Sequence, residues 1–220
     1  MLSRHFIDSS RVPIVALALL VLAGCASGGS AQAPQSRSLP GQGGAADGPD
    51  AELAVPPQVR TLYEQAVSAM AAGDYVDAEL RFKEFLLQFP DYPGAHVNLA
   101  IIHANNANNA AARSALDAAL AINPDHSAAL NQLGMLLRRN GNFLEAEAAY
   151  LKAVTVKPDY ALAHYNLGIL NELYLQRLDV ALQHFETYQA LVGEDKQVEK
   201  WIADLRRRVA ANQRTANVAD

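Results

Sequence analysis

The sequence predicts an all-α protein, a stack of about four helix hairpins closed by one further helix. Three observations carry that expectation. Pro90, Pro124 and Pro158 recur at one constant interval, each followed by an aspartate, Asp91, Asp125 and Asp159. Small residues recur at the same interval as Ala66, Ala100, Gly134 and Gly168, and Ala78, Ala112 and Ala146 follow the first three by twelve residues. Around these anchors apolar side chains return every three or four residues, the helical period. Equal spacing of this length marks stacked, similar units rather than one irregular core.

Each hairpin follows from its own residues. The small residue lets two antiparallel helices approach, and a bulky residue, Phe82, Leu116 or Tyr150, is expected to fill the space between one hairpin and the next. Gly73 and Gly141 suit first helices that end in positive φ, and the prolines stop the second helices. The aspartates after the prolines lie before the next helix start, where the helix dipole favours negative charge. The second hairpin replaces the glycine turn by Asn105-Asn106-Ala107-Asn108-Asn109, and asparagine's tolerance of left-handed geometry is the expected solution there. In the fourth, Ala181 follows Gly168 by thirteen residues, so one residue is inserted between about Tyr174 and Leu178, and Gly193 stands where a proline would.

A stack of repeats leaves apolar surface at its ends. Val198, Trp201, Ile202, Leu205 and Val209 lie at helical spacing and predict a capping helix, with Trp201 in its core and Arg206, Arg207 and Arg208 on a solvated end. The folded region is thus expected over residues 58–210, with a frayed tail over 211–220.

The amino terminus is of another kind. Arg4 and Arg11 precede an apolar run from Val12 to Leu22, which ends in Leu22-Ala23-Gly24-Cys25. Eleven helical residues cover about 16 Å, half of a ~30 Å hydrocarbon core. Basic flank, short apolar segment and small residues before a cut site describe a secretory signal peptide over residues 1–24. Leu22 to Cys25 also resembles the lipobox of bacterial lipoproteins, which implies cleavage before Cys25 and a lipid on its thiol. Ala26 follows, where the enterobacterial inner-membrane retention signal has aspartate, so the expected location is the envelope, periplasmic face, outer membrane rather than inner. Residues 25–57 are mostly Gly, Ser, Ala, Gln and Pro without an aromatic residue, and seven of the chain's 13 glycines lie between Gly24 and Gly48. Such a segment buries too little to offset its ordering entropy and reads as a flexible tether.

Composition narrows the chemistry. The 220 residues carry a formal charge of −5, which argues against a nucleic-acid surface, and a single cysteine excludes an intramolecular disulfide. No G-x-S-x-G, phosphate loop or H-E-x-x-H occurs, so no catalytic set, no cofactor and no small-molecule substrate are expected. His96 and His164 fill a packing slot, and His96 with His103 offers too few ligands for a metal. Glu145 and Glu147 read as a solvated face.

The repeated residues resemble the tetratricopeptide repeat family: Leu133-Gly134, Ala146, Tyr150 and Pro158, then Leu99-Ala100, Ala112, Leu116 and Pro124, and more loosely Gln65-Ala66, Ala78, Phe82 and Pro90. The resemblance spans about residues 59–191. It implies a right-handed superhelical solenoid in which first helices line a concave groove for a peptide or partner helix. Carried onto this chain, the groove comprises Tyr63, Val67, Met70, Val97, Asn98, Ile101, Asn105, Asn131, Gln132, Met135, Arg138, Arg139, Tyr165, Asn166, Ile169 and Glu172. Asn98, Gln132 and Asn166 share one slot, and such amides could hold a peptide backbone without reading its sequence. The lysines and arginine of the family's chaperone-tail clamp are missing: Tyr63, Val67, Ala128 and Gln132 occupy those positions. What the resemblance implies is a lipid-anchored adaptor for a protein partner, serving a pilus, secretion, outer-membrane or energy-transducing assembly. The alternative is an accessory subunit or regulator of a cell-wall enzyme.

Overall fold

The computed structural model describes residues 56–219, and within them nine α-helices and no strand. They run α1 Pro57–Ala71, α2 Tyr75–Gln88, α3 Pro93–Asn105, α4 Asn109–Ile122, α5 Ser127–Arg139, α6 Phe143–Val156, α7 Ala161–Leu173, α8 Leu178–Val192 and α9 Lys196–Ala219. The expected signal peptide, Cys25 and the expected tether as far as residue 55 lie outside the described residues, whereas Pro57, the last residue assigned to the tether, opens α1.

The periodic residues act as punctuation, as expected. Phe89, Asn123 and Lys157 precede the three prolines and close α2, α4 and α6 with ψ of 69°, 97° and 88°. A following proline ring disfavours the helical region, so the chain leaves the helix there. Gly193 closes α8 with φ 83°. Asp74 and Asn108 cap α2 and α4 by accepting from the N–H groups of Asp77 and Ala111. The aspartates after the prolines do not cap: Tyr92, His126 and Tyr160 take that position, and His126 Nδ1 accepts from the Ala129 N–H at 3.1 Å.

One turn expectation needs revision. Gly73 and Gly141 have φ of 81° and 84° as anticipated, but in the second hairpin the left-handed residue is Ala107, φ 57°, and no asparagine. Ala107 stands midway between the two glycines, one repeat interval from each, so the repeat register rather than residue preference selects it. Ala107→Gly is expected to raise the unfolding free energy by about 0.5–1 kcal/mol, because the left-handed region costs an L-residue about 1–2 kcal/mol and glycine's chain entropy returns part of the gain. A urea midpoint that stays level or falls would show that the turn is unstrained. In the fourth hairpin Gln176, φ 55°, lies one position farther than a repeat interval beyond Gly141, which locates the inserted residue inside the anticipated turn.

Bulky residues first cover their own hairpin. A Cβ at Gly134 would lie 2.5–2.8 Å from ring atoms of Tyr150, and one at Gly168 2.7–2.8 Å from those of Phe185. The glycines are therefore seats for rings. Tyr150 then continues into a cluster with Leu167 and Leu170 of the next hairpin, so it also serves the role the sequence suggested.

Consecutive helices pack against one another along the chain. Among the described residues, first helices also touch first helices (α1 with α3, α3 with α5, α5 with α7), while second helices do not touch each other. The stack therefore curves with its first helices on the inner side. Its ends are closed by two devices. Ala95, Leu99 and Ile102 of α3 are buried against the preceding hairpin, and their counterparts one repeat earlier are Thr61, Gln65 and Ser68, all exposed. At the other end Val198, Ile202 and Leu205, which correspond to Ala163, Leu167 and Leu170 of α7, are buried. The capping helix is thus the first helix of a fifth, incomplete hairpin. It runs on to Ala219, past the sequence-based limit at residue 210, because extending a formed helix through Ala-rich residues needs no new nucleus.

Candidate functional site

The inner face is built by α1, α3, α5 and α7, and the proposed groove residues divide by depth. Tyr63, Val67, Ile101, Gln132, Met135 and Arg138 are half-buried, and Asn105 and Arg139 are exposed, so a partner could touch all eight. Met70, Val97, Asn98, Asn131, Tyr165, Asn166, Ile169 and Glu172 are buried. These eight form the floor and the joints between hairpins.

The asparagine slot shows why. Asn98 Nδ2 donates to the Tyr63 hydroxyl at 2.9 Å, and Asn166 Nδ2 donates to Asn131 Oδ1 at 2.9 Å. Both bonds join positions 35 apart, one hairpin to the next, and Arg139 repeats that step by donating to the Ala104 carbonyl at 2.8 Å. Gln132 would meet Val97 at this interval, an apolar residue, so the middle rung is absent. The three amides are therefore not an open ladder: two are interior clasps whose donors are already engaged. Their Oδ1 atoms are buried and accept no hydrogen bond.

Ring packing sets the walls. Tyr63 lies 5.2–5.5 Å from Phe82, Phe85 and Tyr92, and Tyr165 is 6.0 Å from Phe185 and from Trp201. Between the second and third hairpins, Ala100, Ala104 and Ala112 meet Leu116 where the third hairpin has a tyrosine ring. The recess left there, ~10 Å³, holds at most one water. Arg138 and Arg139 place positive charge at the middle of the face.

The arginine run is used structurally. Arg206 pairs with Glu186 at 2.7 Å, Arg207 with Asp204 at 3.1 Å, and Arg208 with Glu172 at 3.0 Å. Glu172 is buried, so this last pair fixes α9 to the end of α7. Sequence reading missed the partner of each arginine, because all but Asp204 lie on other helices.

The histidines reveal a junction motif. His96 Nε2 bonds the Pro90 carbonyl at 2.9 Å and His164 Nε2 the Pro158 carbonyl at 3.0 Å, while Lys152 donates to the Pro124 carbonyl at 2.6 Å. Each proline carbonyl thus gains a side-chain donor. Since a carbonyl only accepts, neutral His164 carries its proton on Nε2, and its Nδ1 accepts from Nδ1–H of His184 at 3.1 Å. Burial, and then the neighbouring His164 ring, push His184 down to about 4 from its ordinary 6.5. A lowered folded pKa means the stabilisation is complete above about 6.5 and is lost as pH falls from there towards 4. Partial exposure of the ring holds the effect to about 1 kcal/mol rather than the ~3 of the full shift. Urea titrations at pH 7.5 and 4.5 should show a larger acid loss in the native chain than in His184→Gln, and equal losses would contradict the assignment. Among the described residues no three His, Cys, Asp or Glu side chains converge as metal ligands.

Comparison with known proteins agrees with this architecture. Residues 69–136 match a family model described as tetratricopeptide repeat, and residues 134–173 match one described as TPR repeat. No curated protein sequence matches the chain. Among solved structures, that of Pseudomonas aeruginosa pilF is similar at 24% identity and TM-score 0.62, covering 70% of this chain and 72% of that one. MamA (41-end) from Desulfovibrio magneticus RS-1 is similar at 18% identity and TM-score 0.58, over 74% of this chain and 92% of that one. TTC0263, a TPR protein of Thermus thermophilus, is similar at 22% identity and TM-score 0.59, over 68% of this chain and 82% of that one. At these identities the likeness is one of fold. Residues 69–173 thus match tetratricopeptide-repeat models, and the described helices have the fold of that solenoid.

Proposed function

We propose that this tetratricopeptide-repeat solenoid is an adaptor held at a bacterial envelope membrane by a lipid on Cys25, whose inner face captures a protein partner during assembly of a larger pilus, secretion, outer-membrane or energy-transducing complex. The observation that carries the reading is the unbroken contact of α1, α3, α5 and α7, which makes one continuous face from four hairpins. Tyr63, Val67, Ile101 and Met135 supply apolar and adaptable contacts along it, and Gln132 supplies an amide. Arg138 and Arg139 favour a partner segment with a carboxylate near its centre. The adaptor has no reaction of its own, and tethering raises its effective concentration at the surface.

Capture from detergent-solubilised membranes tests the groove. The full chain carrying Ile101→Glu and Met135→Glu should retain its helical circular dichroism and lose its partner at least tenfold. Unchanged capture would move binding off this face. Labelling with a palmitate analogue tests the anchor: incorporation should vanish in Cys25→Ser, and persistent label would refute lipidation at that residue.

A further inference from the structure

The second hairpin is smaller than the others at two equivalent positions. Leu116 stands where the other hairpins carry the rings of Phe82, Tyr150 and Phe185, and Ala104 stands where they carry Met70, Arg138 and Glu172. The smaller side chains leave the ~10 Å³ recess between the second and third hairpins. Ala100, Ala112 and Leu116 make an apolar floor, and Gln132, Met135 and Arg139 of α5, less buried than that floor and part of the inner face, make the rim.

The chemistry of floor and rim limits what can enter. Room for one water is room for about one methyl group, and an apolar floor offers a water few of the polar partners it needs. A methyl-ended side chain would gain van der Waals contact with that floor, whereas an aromatic ring is too large. On the rim, Arg139 donates to the Ala104 carbonyl at 2.8 Å. A guanidinium has further donors in the same plane, which suit a carboxylate. Arg81, Arg113, Arg177 and Arg206 each pair with a carboxylate of this chain, but Arg138 and Arg139 pair with none among the described residues. The side-chain amide of Gln132, half-buried beside them, makes no hydrogen bond among the described residues and can serve an N–H or a C=O of a passing backbone.

We infer that this recess is the selecting subsite of the inner face: it takes the methyl end of a Val, Ile or Leu side chain from an acidic partner segment, with a carboxylate of that segment on Arg139. The inference rests on capture by the inner face and adds which residue is read there.

Peptides selected from a random phage-displayed library on the full chain in detergent are the probe, and fluorescence anisotropy of the tightest one is the measurement. The selected sequences should share Val, Ile or Leu with Asp or Glu within about four residues. Replacing that aliphatic residue by Gly should weaken binding to the native chain at least about fivefold. Leu116→Phe fills the recess from beneath and changes no rim residue. Ala66, Met70 and Phe82, buried in one cluster, show that the filled combination packs in the first hairpin. In Leu116→Phe, and separately in Ala104→Met, the selected peptide should bind at least about fivefold more weakly, and its Gly version should differ from it by less than about twofold. Arg139→Gln should weaken both peptides by a similar factor. Selected peptides without the aliphatic–acidic pair, or filled variants that keep native helical circular dichroism and native affinity, would overturn the inference. If Ile101→Glu with Met135→Glu abolishes peptide binding while the filled variants retain it, the subsite falls and the inner face stands. If neither change matters, both fall.

Discussion

Gly134→Ala should destabilise the solenoid by about 1–3 kcal/mol, although alanine is the better helix former by about 1 kcal/mol. The added methyl would sit 2.5 Å from the Tyr150 ring, whose side chain is fully buried, so ring or helix must shift. The second hairpin already contains the compensated version. Ala100 faces Leu116 at the equivalent positions, and both are buried. Gly134→Ala combined with Tyr150→Leu should therefore cost less than the sum of the two single changes, with a coupling of at least about 1 kcal/mol in a double-mutant cycle. The cycle is read from urea unfolding of the four proteins. Additivity within about 0.5 kcal/mol would show that glycine is not there to seat the ring.

Leu205→Ala should cost about 3 kcal/mol, within the range for deleting a fully buried leucine. Its consequence reaches beyond α9. A linear stack is stabilised by nearest-neighbour interfaces, and α9 is the last of them. Releasing it uncovers Tyr165 and Phe185 on the fourth hairpin, which should fray next. Trp201 is the only tryptophan in the chain and lies 5.7 Å from Phe185, so its emission reports this docking directly. A red shift at denaturant concentrations below the main helical unfolding transition is expected in Leu205→Ala. Coincident transitions with native-like cost would show that the cap is dispensable.

The hairpin order was legible because the prolines and small residues repeat at one interval, and each does the same local work wherever it occurs. Depth was less legible. Asn98, Gln132 and Asn166 are equivalent at the repeat interval, yet their hydrogen bonds run one position farther, to Tyr63, to no polar residue and to Asn131, and that offset decides which amides are enclosed. Only the stacking of one hairpin on the next supplies it. The left-handed Ala107 was hidden by its asparagine neighbours, although counting one repeat interval from Gly73 would have found it. Two other features were written in the same register and needed only comparison between copies. Thr61, Gln65 and Ser68 replace the buried Ala95, Leu99 and Ile102, which marks the first hairpin as an end. Val76, Leu80 and Leu87 lie opposite Ala78, Phe82 and Phe85, which gives α2 large apolar residues on two opposite faces.

Capture of a protein partner on the inner face is most directly tested by photo-crosslinking in living cells, with a benzophenone amino acid placed at Val67, Ile101 or Met135 and, as the outer-face comparison, at Ser114 or Ala121 of α4. The inner positions are half-buried and the α4 positions exposed, so accessibility alone would favour the outer set. A crosslinked product of the same mass from all three inner positions, absent from both outer ones, is the expected result. Products obtained only from Ser114 and Ala121 would contradict capture by the face that α1, α3, α5 and α7 build.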